Sequence, residues 1–206
     1  MAIEAVVLDI GNVLIEWRPE RFYDSVIGEA ARKRLFSDID LHAMNDDIDR
    51  GGAFRPAVEA MAVRHPQHAE AIMLWHDRWA EMAAPAIPRS VRIQRALRAR
   101  GVPVFALTNF GRETFAIAEP IYPFLSEFDR RYISGHLGVV KPDPRIYQIV
   151  ENDSGVSPSG LLFADDRAEN IAAASARGWQ THLFTSETGW ADRLVAEGLL
   201  TESEAA

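Results

Sequence analysis

Val6-Val7-Leu8-Asp9-Ile10-Gly11-Asn12-Val13-Leu14 decides the fold of this chain. An apolar run ends in one carboxylate, a glycine follows, and apolar residues resume. A strand buried on both faces of a parallel sheet reads as a continuous apolar run. Ligands of open α/β sheets collect just outside the carboxyl ends of such strands. Asp9 is therefore expected where this kind of fold does its chemistry, either holding a metal ion or attacking an electrophile as a nucleophilic carboxylate.

Beyond this stretch the chain changes character twice. From Arg18 to about Ala84 it reads as helices with no convincing strand. Pro19 and Pro56 fit first-turn positions, and Phe54, Val58 and Met61 recur at helical spacing. Pro85 and Pro88 read as a return linker. After them strands and helices alternate. Strands are expected at 102–107, 131–133, 161–164 and 179–185, and helices at 91–100, 112–118, 144–152, 168–177 and 187–199. Alternation of this kind implies βαβ units and a doubly wound parallel sheet. The expected organisation is a Rossmann-like α/β core from residues 1–16 and 88–206, with an all-helical cap at 17–87 inserted after the first strand. The last residues read as a short Ala/Glu/Ser tail.

Composition narrows the function. Of 206 residues 48% are hydrophobic, enough for one sizeable core with an insert. The formal charge of −8 comes from 22 basic and 30 acidic side chains, with no basic block, so neither nucleic acid nor an anionic membrane is expected as partner. With no cysteine, disulfides and thiolate metal sites are excluded. No signal-peptide pattern follows Met1, and no apolar run reaches the ~18 residues of a spanning helix. A cytoplasmic protein, monomeric or a weak homodimer, is expected.

Four polar positions fall near strand ends: Asp9; Thr108-Asn109; Lys141 in Val139-Val140-Lys141-Pro142-Asp143-Pro144; and Asp165-Asp166, with Asn170 on the next helix. Singly, each reads as a helix cap or turn. Together and in this order they match the needs of phosphoryl transfer: a nucleophile, a cation to neutralise phosphate oxygens, and donors for the remaining ones. Asp9 can supply the nucleophile. Asp9 and Asp166 can hold Mg²⁺, a hard ion suited to a few carboxylates plus phosphate and water. Thr108 and Asn109 can donate to phosphate oxygens, and Lys141 can place a point charge beside phosphate and Asp9. Asp165 crowds Asp166, a repulsion that a cation relieves.

The combination resembles the haloacid dehalogenase-like (HAD) hydrolase superfamily, through Asp9-Ile10-Gly11-Asn12-Val13, Leu107-Thr108-Asn109, Lys141-Pro142-Asp143-Pro144 and Phe163-Ala164-Asp165-Asp166-Arg167-Ala168-Glu169-Asn170. The stretch from Gly138 to Tyr147 and the Asp-Asp…Asn segment look like the branch of bacterial sugar-phosphate phosphatases such as glucose-1-phosphate phosphatase. The resemblance implies a Mg²⁺-dependent phosphatase acting on a small phosphorylated metabolite through an aspartyl-phosphate. Asp9 would be nucleophile and metal ligand, Asp166 a second ligand supported by Asp165, and Thr108, Asn109 and Lys141 the phosphate binders. Most phosphatases of the superfamily carry a second Asp two residues after the nucleophile, and here that position is Gly11, whose carbonyl can still ligate Mg²⁺. General acid–base help is worth roughly 10²–10⁴-fold. A slow enzyme is therefore expected, or one favouring good leaving groups, and Gly11→Asp is expected to speed poor ones.

The cap is expected to choose the substrate. Its candidates are Trp17, Arg18, His42, Asn45, Asp46, Arg50, Trp75, His76 and Trp79, with Arg18 near the entrance as a substrate contact. Trp75 and Trp79 are expected to bury together in the cap, and His42 and His76 to lie at the surface. Two rivals share the fold: a 2-haloacid dehalogenase with the same nucleophile, disfavoured by Asp165-Asp166, and a catalytically weak binding protein, supported by Gly11 alone.

Overall fold

The computed structural model describes residues 2–206. In chain order it runs β1 (Ala5–Leu8), β2 (Ile15–Trp17), α1 (Pro19–Ile27), α2 (Glu29–Asp38), α3 (Leu41–Asp49), α4 (Phe54–Arg64), α5 (Ala69–Asp77), α6 (Trp79–Met82) and β3 (Ala83–Ala86). It continues as α7 (Pro88–Ala99), β4 (Val104–Thr108), α8 (Arg112–Ile121), β5 (Arg130–Ile133), α9 (Ser134–Leu137) and α10 (Pro144–Ser154). The chain closes with β6 (Leu161–Asp165), α11 (Ala168–Ala176), β7 (Gln180–Leu183), α12 (Glu187–Ala196) and α13 (Glu202–Ala205).

Five strands form one parallel sheet in the order β5-β4-β1-β6-β7. Alternate residues serve opposite faces. Val6 and Leu8 join one apolar cluster, and Ala5 and Val7 join the other. Both faces are covered, as a parallel sheet requires. The first cluster continues without a break into Phe22, Leu35, Ile48, Phe54 and Trp75 of the inserted helices. Strand β1 lies between β4 and β6, where the order of strands reverses, and register brings Leu8 level with Ala106 and Ala164. Asp9, Thr108 and Asp165 therefore come to the same carboxyl edge, at the crevice where open α/β sheets hold ligands. Among the described residues no helix is long and apolar enough to cross a membrane.

The structure corrects the sequence reading at two places. The stretch read as strand-free helix plus a Pro linker ends in β3, which contains Pro85 and pairs antiparallel with β2 through Ile15↔Ala86 and Trp17↔Ala83. All six inserted helices lie between these two strands, so the ribbon is their stem. Strands of three and four residues with one neighbour each leave no periodic signature, and a proline on such an edge breaks no ladder. The tail is also structured. Thr201 and Glu204 form a capping box on α13, Arg89 donates to Ala205 O at 2.9 and 3.0 Å, and Ala205 is buried.

Candidate active site

The carboxyl edge of the sheet carries a buried charge cluster. Lys141 Nζ lies 2.9 Å from Asp9 Oδ1 and 2.6 Å from Asp165 Oδ2, and it donates to Leu107 O at 2.8 Å. Asp165 is fully buried and fully engaged. Its oxygens also accept from Asn170 Nδ2 at 3.0 Å each, and Oδ1 accepts from the Arg167 N–H at 2.8 Å. Asp9 is different. Oδ1 takes the Ile10 N–H at 2.7 Å and Lys141, while Oδ2 accepts no hydrogen bond among the described residues. That oxygen is the one a metal or an electrophile can use.

The electrostatics follow from burial. Desolvation is the largest influence on Asp9 and raises its pKa; Asp165 and Asp166 push the same way, and Lys141 opposes them. Asp166 is also held above the usual carboxylate range by burial, against the pull of its Asn12 hydrogen bond. For Lys141 burial works against the charge, but Asp165 and Asp9 more than offset it, so the ammonium titrates above its ordinary value. One cation among three carboxylates leaves the pocket floor negative, which a divalent ion would neutralise. Ligand oxygens of Asp9, Asp165 and Asp166 all lie within 4.8 Å of one another.

Two loops hold this floor. Asn12 adopts φ +55°, a left-handed conformation that Asn tolerates, in the tight turn after Gly11. Its Nδ2 donates to Asp166 Oδ2 at 3.0 Å, and its Oδ1 accepts from the Trp17 N–H at 3.0 Å and Arg18 Nη1 at 2.6 Å. Asn109 and Lys141 exchange two bonds, Nδ2 to Lys141 O at 2.9 Å and Lys141 N–H to Oδ1 at 2.8 Å. This pair ties the β4 end to the lysine loop and leaves the Asn109 amide occupied.

A cavity of about 350 Å³ opens over the floor. Asp9, Gly11, Thr108, Asn109, Lys141 and Asp166 line its base, and the inserted helices contribute His42, Asn45, Asp46, Asp49 and Trp79. Trp17 also lines it, with its ring 6.0 Å from Trp79, and Trp79 lies 5.5 Å from Phe110. Several sequence candidates sit elsewhere. Arg18 is exposed, bound to Asn12 and Trp17 O, and lies outside the lining. Arg50 is exposed and paired with Asp47. Trp75 is fully buried and donates to Asn45 Oδ1 at 3.3 Å. His76 packs on Phe54, whereas His42 is exposed on the cavity wall and bound to Glu20.

The profile of the haloacid dehalogenase-like hydrolase family matches residues 3–178. The chain belongs to this family. Among curated relatives, this HAD-like hydrolase is 36% identical over 67 residues to the D-ribitol-5-phosphate phosphatase of Bacteroides thetaiotaomicron, a match covering 32% of each chain. The chain spans about a third to a half (32% to 46%) of the length of the curated relatives it matches first. Its fold is similar to that of a HAD family enzyme of Bacteroides thetaiotaomicron, solved with magnesium and inorganic phosphate, at a TM-score of 0.67 and 21% identity over 88% of this chain and 93% of that one. It is also similar to an L-2-haloacid dehalogenase of Xanthobacter autotrophicus, solved with chloropropionic acid covalently bound, at a TM-score of 0.62 and 17% identity over 98% and 86%.

Sequence reasoning missed two residues of this HAD-like hydrolase's cavity. Asn12 lies inside the first motif, and Asn directly after Gly is itself a signal for a left-handed turn. Asp49 is the second. Its spacing of four from Asn45 places both on one face of α3, but nothing along the chain says which face meets the sheet.

Proposed function

We propose that the protein is a Mg²⁺-dependent phosphatase that hydrolyses a small phosphate monoester through an aspartyl-phosphate on Asp9. The observation that carries this reading is Asp9 itself, one oxygen fixed by Lys141 and the other open to the cavity beside Asp166. The donor set fits a hard divalent ion. Asp9, Asp166 and the Gly11 carbonyl offer oxygens, whereas Asp165 is consumed by Lys141, Asn170 and Arg167 and acts by holding the lysine. Magnesium there would neutralise phosphate charge and screen Asp9 from Asp166.

The chain's own residues do the rest. Asp9 Oδ2 attacks phosphorus, and the bond to the ester oxygen breaks. Lys141 opposes the protonation of Asp9 that burial favours, and it attracts phosphate oxygens. Thr108, buried on the floor, donates its hydroxyl to them, and Asn109 holds the lysine loop in place. Water then attacks the phosphorylated Asp9 and regenerates it. The wall suits an uncharged leaving group. Glu16, Asp46 and Asp49 line it with Trp17 and Trp79, and no Lys or Arg of the inserted helices does. Sugar-alcohol phosphates, the substrate class in the name of the Bacteroides relative, fit that wall.

The test is release of inorganic phosphate from a monoester panel with Mg²⁺. Turnover should require the ion and vanish in Asp9→Asn; activity surviving that substitution overturns the reading. Halide release from 2-chloropropionate without metal would instead establish the dehalogenase chemistry, for which an anionic substrate must approach both Asp9 and Asp166.

A further inference from the structure

An alkoxide leaves phosphorus slowly unless it is protonated as it departs, and Gly11 has no side chain to supply the proton. The titratable side chains on the cavity wall narrow to one. Lys141 is locked between two carboxylates, and Asp9 and Asp166 are already assigned. Arg167 is paired with Glu169 at 2.6 Å. Glu16 is paired with Arg21 at 2.6 Å, His42 with Glu20 at 2.9 Å, and Asp46 is exposed. Asp49 alone is held in place around its carboxylate. The Gly111 N–H donates to it, and Asn45 Nδ2 donates to its Oδ2 at 2.9 Å, with Asn45 itself held by Trp75.

Its backbone is clamped as well. Ser134 Oγ donates to Asp49 O at 2.6 Å and accepts the Phe110 N–H at 2.9 Å. The last turn of α3 is thereby tied to the loop that carries Thr108 and Asn109. Contact is close enough that a Cβ on Gly111 would lie 2.6 Å from Ile48 Cγ2.

We propose that Asp49 donates the proton to the leaving oxygen and accepts one from the hydrolytic water, taking from the inserted helices the role that Gly11 cannot fill. The proposal rests on the phosphatase reading above. In the first step Asp9 Oδ2 bonds to phosphorus, the P–O bond to the alcohol breaks with its electron pair on that oxygen, and the Asp49 proton converts it to the free alcohol. In the second, the Asp49 carboxylate takes a proton from water as the water oxygen bonds to phosphorus. The P–O bond to Asp9 then breaks, releasing inorganic phosphate and restoring both carboxyl groups to their starting states. Burial, Asp46 and Asp9 push the Asp49 pKa up to about 7, against the Gly111 N–H and Arg50, so the protonated form is present near neutrality.

The test compares ribitol 5-phosphate with acetyl phosphate, whose acetate leaves without needing a proton, in the presence of Mg²⁺. Asp49→Asn keeps an acceptor for the Gly111 N–H. It should lower kcat/KM on ribitol 5-phosphate by about 10²–10⁴-fold and leave kcat/KM on acetyl phosphate within a few-fold, because kcat/KM reads only the steps up to phosphorylation of Asp9, whereas the shared hydrolysis of phospho-Asp9 should slow for both. Gly11→Asp, whose added Cβ meets nothing within 4 Å, should restore the alkyl ester when combined with Asp49→Asn. Equal losses of kcat/KM on both substrates, or none, with an active wild type, overturn the role of Asp49 alone. A wild type inactive on both overturns the phosphatase reading and this proposal with it.

Discussion

Lys141 Nζ lies closer to Asp165 Oδ2, at 2.6 Å, than to Asp9 Oδ1, at 2.9 Å. The lysine is anchored by the carboxylate that has no open oxygen and offered to the one that does. Removing a buried ion's partner leaves uncompensated charge and costs about 3–5 kcal/mol. Lys141→Met should therefore lower stability by that order in chemical denaturation, and also abolish phosphate release. Lys141→Arg should not rescue, because a planar fork cannot replace an ammonium held by three acceptors.

Asn12 connects the first loop to Asp166 through a 3.0 Å hydrogen bond. Asn12→Gly keeps the left-handed turn and deletes that support together with the bonds from the Trp17 N–H and Arg18. Loss of an outer partner typically costs 10–100-fold in metal affinity. A Mg²⁺ titration of activity should show a weakening of about that size, with maximal turnover less affected.

The raised pKa of Asp49 has a stability consequence. Its value moves from 3.8 to about 7 on folding, so between those pH values the native state holds a proton that the unfolded chain has released. Stability is then present below the lower value and falls as pH rises toward the upper one. Asp9 shifts in the same direction. Denaturant midpoints measured from pH 4 to 8 should fall with pH in the wild type, and Asp49→Asn should flatten that slope while leaving the part due to Asp9.

Gly135 sits where two loops touch. A Cβ there would lie 2.8 Å from Gly111 C and Phe110 O, both of them backbone atoms. Gly135→Ala must spread the loops that hold Thr108 and Ser134. A cost of about 1–3 kcal/mol is expected from such overpacking, read as a lowered melting temperature. An unchanged melting temperature would show that the loops part freely.

The acidic wall makes a selectivity prediction. A substrate with a second anionic group must face Glu16, Asp46 and Asp49. Phosphoglycolate and sugar bisphosphates should show kcat/KM at least about tenfold below a sugar-alcohol monophosphate, a difference of ~1.4 kcal/mol. Equal rates would place the leaving group away from that wall.

Much of this was legible along the chain because it follows from local pattern. Apolar runs ending in Asp9, Thr108 and Asp165 name both the buried strands and the chemistry at their ends, since a parallel strand must be apolar throughout and its carboxyl end is where it can afford a charge. Composition alone removed disulfides and thiolate metal sites. What the tertiary structure decided involves residues whose partners are distant in sequence. Pairing 2.6 Å apart divides the labour between Asp165 and Asp9, two carboxylates that read alike in one dimension. Docking of α3 on Gly111 and Ser134 turns Asp49 toward the cavity, and hydrogen bonds to Asn12 and the Trp17 carbonyl hold Arg18 outside it. A helix pattern shows which residues share a face, and only packing shows what that face meets.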